Sequence, residues 1–320
     1  MTSTSPPIAL VLGVTGGIGK AIAEALARRG WAIRALSRRA AGERPAFPFA
    51  VDWRQGDALD AASVRSACEG AELIIHCVNP PGYRRWREDG LPMLANSIAA
   101  AKATGATILF PANVYVFSPA SPDAVNEAAI RAPTTRKGQV RLEMEIMLAE
   151  AADRDGVRVI ALRAGDFFGP GIVNSWFAQA VAKDGRAARV IRTLAHTGAA
   201  HAWAYVPDLA EAFARLVDRR AGLPAFTLAH FAGHTDESGR DMAEAVQRAI
   251  GDPRRPIRPF PWFLIWLGAP FIPFLRETIE MRWLWEKSLT LDNAKLRTLI
   301  GDEPHTPLDA AVATALRASR

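Results

Sequence analysis

Seven residues near the start of the chain, Gly13-Val14-Thr15-Gly16-Gly17-Ile18-Gly19, have the types and spacing that bring a peptide backbone against a phosphate. Glycine at the first position permits a tight turn, glycine at the fourth lets the backbone approach a diphosphate, and glycine at the seventh lets a helix pack closely on a strand. Thr15, Gly17 and Ile18 complete a loop whose free N–H groups and helix dipole would meet negative charge. A glycine triplet alone is a weak signal. Here it lies between a short apolar run, Ile8–Leu12, and a segment of helical periodicity at 21–29 that stops at Gly30, which is the context this chemistry needs. A second apolar run, 32–36, ends in Ser37-Arg38-Arg39. Sites for NAD usually place an acid there to accept hydrogen bonds from the ribose 2′-hydroxyl. A hydroxyl and two guanidinium groups suit a 2′-phosphate instead, so NADP is favoured over NAD.

These loops need a scaffold, and the pattern downstream supplies one. Helical stretches at 61–68, 91–104 and 137–152 alternate with buried-strand runs at 72–78, 107–110 and 157–162. That rhythm points to an α/β fold built on a doubly wound parallel Rossmann sheet. Regularity breaks after Arg163. Residues 207–219 then read as a helix and 225–230 as a strand, and from Gly233 onward the pattern is helical with little strand signal. The expected organisation is an NADP-binding Rossmann domain from 1–165 with 203–232. A smaller, mainly helical C-terminal substrate lobe, discontinuous in sequence, comes from 166–202 with 233–320.

Composition narrows the function classes. Hydrophobic residues at 49% and charged residues at 22% of 320 describe a globular chain with a sizeable core. The net charge of +6 would suit an acidic partner, but 39 basic residues are interspersed with 33 acidic ones and form no long run. Nucleic acid is therefore disfavoured, and a polyanionic cofactor accounts for part of the excess. The two cysteines, Cys68 and Cys77, give no disulfide framework and no paired metal spacing. Residues 1–7 show no basic segment followed by an apolar core, so a cytoplasmic setting is the expectation. The most apolar stretch, 260–275, is interrupted by Pro261, Pro270 and Pro273 and is short for a membrane span. It reads first as a buried helical piece packed on the sheet, second as an apolar lid over a hydrophobic substrate, and third as a peripheral membrane contact. The expected partner is a small-molecule substrate, with no nucleic acid, no integral membrane segment, and a homodimer left open.

Several motifs carry a resemblance. The glycine spacing, the step Gly56-Asp57-Ala58, the strand end Ile75-His76-Cys77-Val78, the run Arg163-Ala164-Gly165-Asp166-Phe167-Phe168-Gly169-Pro170-Gly171, and Trp203-Ala204-Tyr205-Val206-Pro207-Asp208 together resemble the extended and atypical short-chain dehydrogenase/reductase superfamily. That superfamily includes the NAD-dependent epimerase/dehydratase group. The resemblance implies that Asp57 binds the adenine and that 168–171 border nicotinamide and substrate. It also implies a Tyr-x-x-x-Lys pair on the helix at 137–152, with a Ser or Thr from the strand at 107–110. Such a pair makes physical sense, because a neighbouring ammonium draws the phenol below its usual value of about 10 and readies it for proton exchange.

This chain departs from the pattern. Its three tyrosines, Tyr83, Tyr115 and Tyr205, are followed four residues later by Arg87, Pro119 and Leu209, so none begins the pair. Alignment of the helix puts Lys137 at the tyrosine and Arg141 at the lysine, and the strand-end serine falls near Pro111 or Asn113. Three outcomes are open: Lys137 acts as the acid, Tyr115 at its strand end supplies the proton, or the chain only binds the cofactor. A solvated helix face for Lys137 and Arg141, and plain packing for Tyr115, are the bland alternatives. Among the histidines, His196 and His201 precede the strand near 203, and no metal site is expected. Arg186, Arg189 and Arg192 could clamp an anion, with surface charge the simpler reading. The favoured function is an NADP-dependent oxidoreductase acting on a small carbonyl, quinone-like or conjugated substrate. A catalytically silent NADP sensor resembling NmrA is second, and a nucleotide-sugar epimerase or dehydratase third.

Overall fold

The chain alternates from its first apolar run, as buried strands joined through amphipathic helices must. In the computed structural model, which describes residues 5–80, 85–195 and 198–317, β1 (Ile8–Leu12) leads through α1 (Gly17–Ala27) to β2 (Ala32–Ser37). There follow β3 (Val51–Gln55), α2 (Ala61–Cys68), β4 (Ala71–His76), α3 (Leu91–Thr104), β5 (Thr107–Asn113), the two-residue β6 (Ala124–Val125), α4 (Arg136–Asp155) and β7 (Val159–Ala164). Short strands β8 (Asp166–Phe168) and β9 (Ile191–Thr193) precede β10 (His201–Tyr205), α5 (Val206–Asp218) and β11 (Phe226–Phe231). The remainder comprises β12 (His234–Asp236), α6 (Asp241–Ile250), β13 (Ile257–Pro259), α7 (Trp262–Gly268), α8 (Pro273–Glu280), β14 (Thr290–Leu291), α9 (Ala294–Ile300) and α10 (Leu308–Arg317). Tyr83 and His196 lie outside the described residues.

Seven parallel strands form the central sheet in the order β11-β7-β5-β4-β1-β2-β3. Side chains of α1, α5 and α9 cover one face and those of α2, α3 and α4 the other, so β1, β4, β5 and β7 are buried on both sides and read as continuous apolar runs. The strand order reverses between β1 and β4, and in such sheets ligands bind at the carboxyl ends beside that switch point. A separate core clusters Phe168, Phe177, Trp203, Trp285, Met242 and Val312 around β10, α6 and α10.

Three features differ from the sequence reading. β3 is an extra edge strand, and its polar residues Asp52, Arg54 and Gln55 gave no apolar run; pairing with β2 recruits it. The region after Gly233 contains β12, β13 and β14, each two or three residues long and too short to show a period. Finally, the 260–275 stretch is only anchored to the interior, through Phe260 and Trp262 at its start, and most of it is not buried. None of the residues of α7 is buried, and Phe263, Leu264, Trp266, Leu267, Phe271 and Ile272 face solvent.

One polar seam ties α4 to the sheet. Arg163, fully buried at the end of β7, donates to Glu145 Oε2 at 2.5 Å and to His230 Nε2 at 2.7 Å, while Arg131 reaches the same carboxylate oxygen at 3.0 Å. His230 Nδ1 faces the Val125 carbonyl at 3.2 Å, which fixes the proton on Nδ1 and leaves Nε2 to accept from Arg163. Burial and the Arg163 charge push His230 down to about 3; burial and Arg141 push His76 down to about 3, and burial with His305 pushes His234 down to about 4. These rings are neutral when folded and take up protons when unfolded below the ordinary histidine value. Stability is therefore full above about pH 6.5 and falls as pH drops toward 3–4. Urea titrations are expected to lose about 3 kcal/mol between pH 6.5 and 5.5, about 1 for each ring. An unchanged midpoint over that window would refute the assignment.

Candidate cofactor cleft and active site

The glycine turn sits at the carboxyl end of β1, on the flank of the switch point. Gly13 takes φ +94°, and a Cβ there would stand 2.6 Å from the Cys77 carbonyl oxygen at the end of β4, so turn and neighbouring strand demand glycine. Gly19, in the first turn of α1, lies so close to the Gly13 carbonyl that a side chain has no room. Gly16 N–H closes the turn on the Gly13 carbonyl at 3.0 Å. Thr15 and Gly16 are exposed, and Gly17 and Ile18 half-buried. No side chain caps α1 and no acid occupies its first turn, so its N-terminal amides remain available to an anion. Opposite them, Ile172 and the Gly171 carbonyl of the loop after β8 lie against Gly17.

At the end of β2, Ser37 Oγ accepts from the Arg39 backbone N–H at 3.1 Å, and the side chains of Arg38 and Arg39 are exposed. Arg38 stands 3.8 Å from Asp57, which itself accepts from Leu59 N–H at 3.0 Å. Asp57 follows β3 in the next loop, so the structure brings Ser37, Arg38, Arg39 and Asp57 to one rim. Two exposed guanidiniums and uncapped helix amides form an array that could hold a phosphorylated dinucleotide.

Further along the same edge, β5 ends in Asn113, whose side chain accepts from Tyr115 N–H at 3.2 Å and starts the single 3-10 turn Val114–Val116. Tyr115 Oη donates to Asp166 Oδ1 at 3.4 Å, and Asp166 Oδ2 meets His201 Nε2 at 2.9 Å. Gly165 permits this. A Cβ there would collide with the Ala202 carbonyl, and the close approach of β10 to β8 sets Asp166 opposite Trp203, with His201 two residues away on the same face. His201 Nδ1 faces the Leu284 carbonyl at 3.1 Å, and the ring stacks on Trp285 with centroids 3.8 Å apart. Because Nδ1 donates to that carbonyl, Nε2 is the ring atom that faces Asp166. Tyr115, Asp166 and His201 thus form one continuous hydrogen-bonded chain, and the Tyr115 phenol is hydrogen-bonded as well as packed. Asp166 and His201 were present in the sequence motifs, but nothing in the spacing between them signalled that they would meet.

Lys137 and Arg141 do not form a solvated face. Thr135 caps α4 through Gly138 N–H at 3.0 Å, and Gly138 packs on the Tyr115 carbonyl, so the backbones of both candidates adjoin. Their side chains diverge. Lys137, 12% exposed, pairs with Glu277 of α8 at 3.2 Å; burial pushes its ammonium below the usual lysine value, and Glu277 pulls partly back. Arg141 is buried over the Trp86 ring at 4.9 Å and donates to Asn79 Oδ1 at 3.2 Å, just past β4. Arg186 and Arg189 are exposed, while Arg192 donates to the Pro259 carbonyl, so the three form no clamp. Among the described residues no group of histidine, cysteine and acidic side chains could hold a metal ion.

With that geometry fixed, comparison decides the lineage. The profile described as the NAD dependent epimerase/dehydratase family matches residues 9–228, more than half of the chain. The chain belongs to that family. Its fold matches members across its whole length: a protein of Burkholderia cenocepacia J2315 taken to be an epimerase superposes with a TM-score of 0.79 at 21% identity, covering 99% of both chains. WbmH of Bordetella bronchiseptica, solved with NAD+, gives 0.72 at 19% identity over 98% of this chain and 97% of its own. The UDP-glucose 4-epimerase of Thermus thermophilus, solved with NAD, gives 0.72 at 20% identity over 98% and 99%. Among curated proteins, Sterol demethylase protein B of Methylococcus capsulatus is 39% identical over 67 residues, 21% of this chain and 20% of that protein. The match thus spans about a fifth of that relative. No helix among the described residues is long and apolar enough to cross a membrane.

Proposed function

We propose that this member of the epimerase/dehydratase family is an NADP-dependent oxidoreductase that reduces a small carbonyl, quinone-like or conjugated substrate. The observation that carries the reading is the glycine turn at the switch point, with uncapped α1 amides beside the exposed pair Arg38 and Arg39 and no acid at the end of β2. Gly13, Thr15, Gly16, Gly17, Ile18 and Gly19 would surround the diphosphate, Ser37, Arg38 and Arg39 the 2′-phosphate, and Asp57 the adenine. When bound, the nicotinamide supplies hydride. Tyr115 gives the proton to the reduced substrate, with Asp166 and His201 as positioning residues. Lys137 is the second candidate acid. The division into a Rossmann domain (1–165 with 203–232) and a substrate lobe (166–202 with 233–320) is the frame for this assignment.

A second reading, nucleotide-sugar epimerisation, draws on the likeness to epimerases of known structure. It is disfavoured because an epimerase of this type relies on the phenol–ammonium pair that Lys137 and Arg141 replace. Calorimetric titration with NADP and NAD, followed by turnover of NADPH against quinones, enals, aldehydes and UDP-sugars, separates the readings. Arg39→Ala is expected to weaken NADP about ten- to a hundredfold, the worth of a charged hydrogen bond, and to leave NAD unchanged. Tighter binding of NAD than NADP by the unaltered chain would remove the NADP assignment, and heat with neither would remove the cofactor. NADP binding without any turnover would favour a sensor.

A further inference from the structure

The most apolar stretch of the chain is largely exposed. α7 carries the sequence Trp-Phe-Leu-Ile-Trp-Leu-Gly with no charged side chain, and it pairs with α8 through a turn at 269–272. Phe263 is 70%, Trp266 67% and Phe271 84% solvent-accessible. Side chains of that size at those exposures join into a patch of several hundred Å², larger than an isolated surface leucine or phenylalanine explains. A lid closed over the cleft would bury these residues, and a packing element would too.

Near the patch in sequence, the charged side chains without an ion pair among the described residues are all arginines. Arg254 and Arg258 precede α7, Arg276 lies on α8, and all three are exposed. The neighbouring carboxylates are engaged: Asp252 faces Arg255 at 3.2 Å, Glu277 faces Lys137, and Glu286 faces Arg282 at 2.8 Å. Aromatic and aliphatic side chains with uncompensated arginines at the margin match the interface of an anionic bilayer, where rings sit at headgroup depth and cations meet lipid phosphates. A second copy of the chain would set the same arginines against each other, which disfavours self-association through this face.

We propose that the α7–α8 hairpin docks the protein onto anionic lipid surfaces, with Phe263, Trp266 and Phe271 inserted and Arg254, Arg258 and Arg276 at the headgroups. The inference is independent of the chemistry assigned to the cleft. α8 also supplies Glu277 to Lys137, so the docking element is joined directly to the edge of the active site.

Flotation of the full chain with vesicles of phosphatidylcholine alone, and of phosphatidylcholine mixed with phosphatidylserine, tests it. The protein is expected to float with the mixed vesicles, to dissociate at high salt, and to show a blue-shifted tryptophan emission that Trp266→Phe diminishes. Phe263→Ser with Phe271→Ser should weaken binding at least about tenfold while near-ultraviolet circular dichroism and NADP affinity stay unchanged. Arg254→Gln with Arg258→Gln should abolish the preference for phosphatidylserine. Equal binding to both vesicles would overturn the anionic requirement. Absence of flotation, or a concentration-dependent dimer that the double serine variant dissolves, would overturn membrane docking.

Discussion

Glu145→Ala is expected to lower the free energy of unfolding by about 3–5 kcal/mol, the usual cost of stranding a buried charge. Glu145 Oε2 is the sole carboxylate oxygen within reach of the Arg163 guanidinium among the described residues, and both side chains are essentially inaccessible to water. Without it, Arg163 keeps only the neutral His230 ring and the face of Phe117 at 5.2 Å, neither of which offsets a full positive charge. Arg131 loses the same partner but is exposed enough to turn to solvent. Urea titration at neutral pH measures the loss. Combining Glu145→Leu with Arg163→Met should recover most of it, because two apolar groups of similar shape need no pairing. A single variant that loses less than about 1 kcal/mol would mean that water or a rearranged side chain reaches the guanidinium. The seam anchors α4, so its loosening should also misplace Lys137 and Arg141.

Tyr115→Phe should reduce kcat about 10²- to 10⁴-fold with little change in KM, the worth of a positioned proton donor. The phenol is removed and the ring retained, so packing at the end of β5 is conserved. Lys137→Met, by contrast, should change kcat less than about tenfold, because its ammonium is held in an ion pair by Glu277 of α8. Asp166→Asn separates a positioning role from a structural one. Loss of the carboxylate should lower kcat and leave KM and NADP affinity intact, whereas a folding defect would depress NADP affinity as well. The measurement is NADPH consumption across pH with a substrate found in the turnover panel. The opposite ranking, a large loss in Lys137→Met and a small one in Tyr115→Phe, would transfer the acid role to Lys137.

The cleft was legible in the sequence because its parts are contiguous. A glycine turn, the strand before it and the helix after it occupy one short segment, and each glycine answers a local steric demand that holds in any chain. The cationic end of β2 was legible for the same reason. The hydrogen-bonded chain of Tyr115, Asp166 and His201 was not. These residues are separated by 51 and 35 positions, and they meet because β5 ends beside the start of β8 and Gly165 lets the start of β10 approach. Lys137 and Arg141, one helical turn apart, fitted either a candidate acid with a neighbouring cation or a solvated face; burial against α8 and Trp86 gave each a different partner.

Local propensity and hydrophobic pattern by themselves determined the alternation of strand and helix, the doubly wound class and the phosphate turn, because those depend on neighbours within a few residues. Tertiary structure decided which distant side chains hydrogen-bond to one another and which apolar side chains stay in water. Charge pairing and burial are properties of distant elements brought together, and no window of sequence carries them. The stretch at 260–275 illustrates the limit: its hydrophobicity fitted a buried piece, a lid or a membrane contact equally, and the exposure of Phe263, Trp266 and Phe271 emerged only from the tertiary structure.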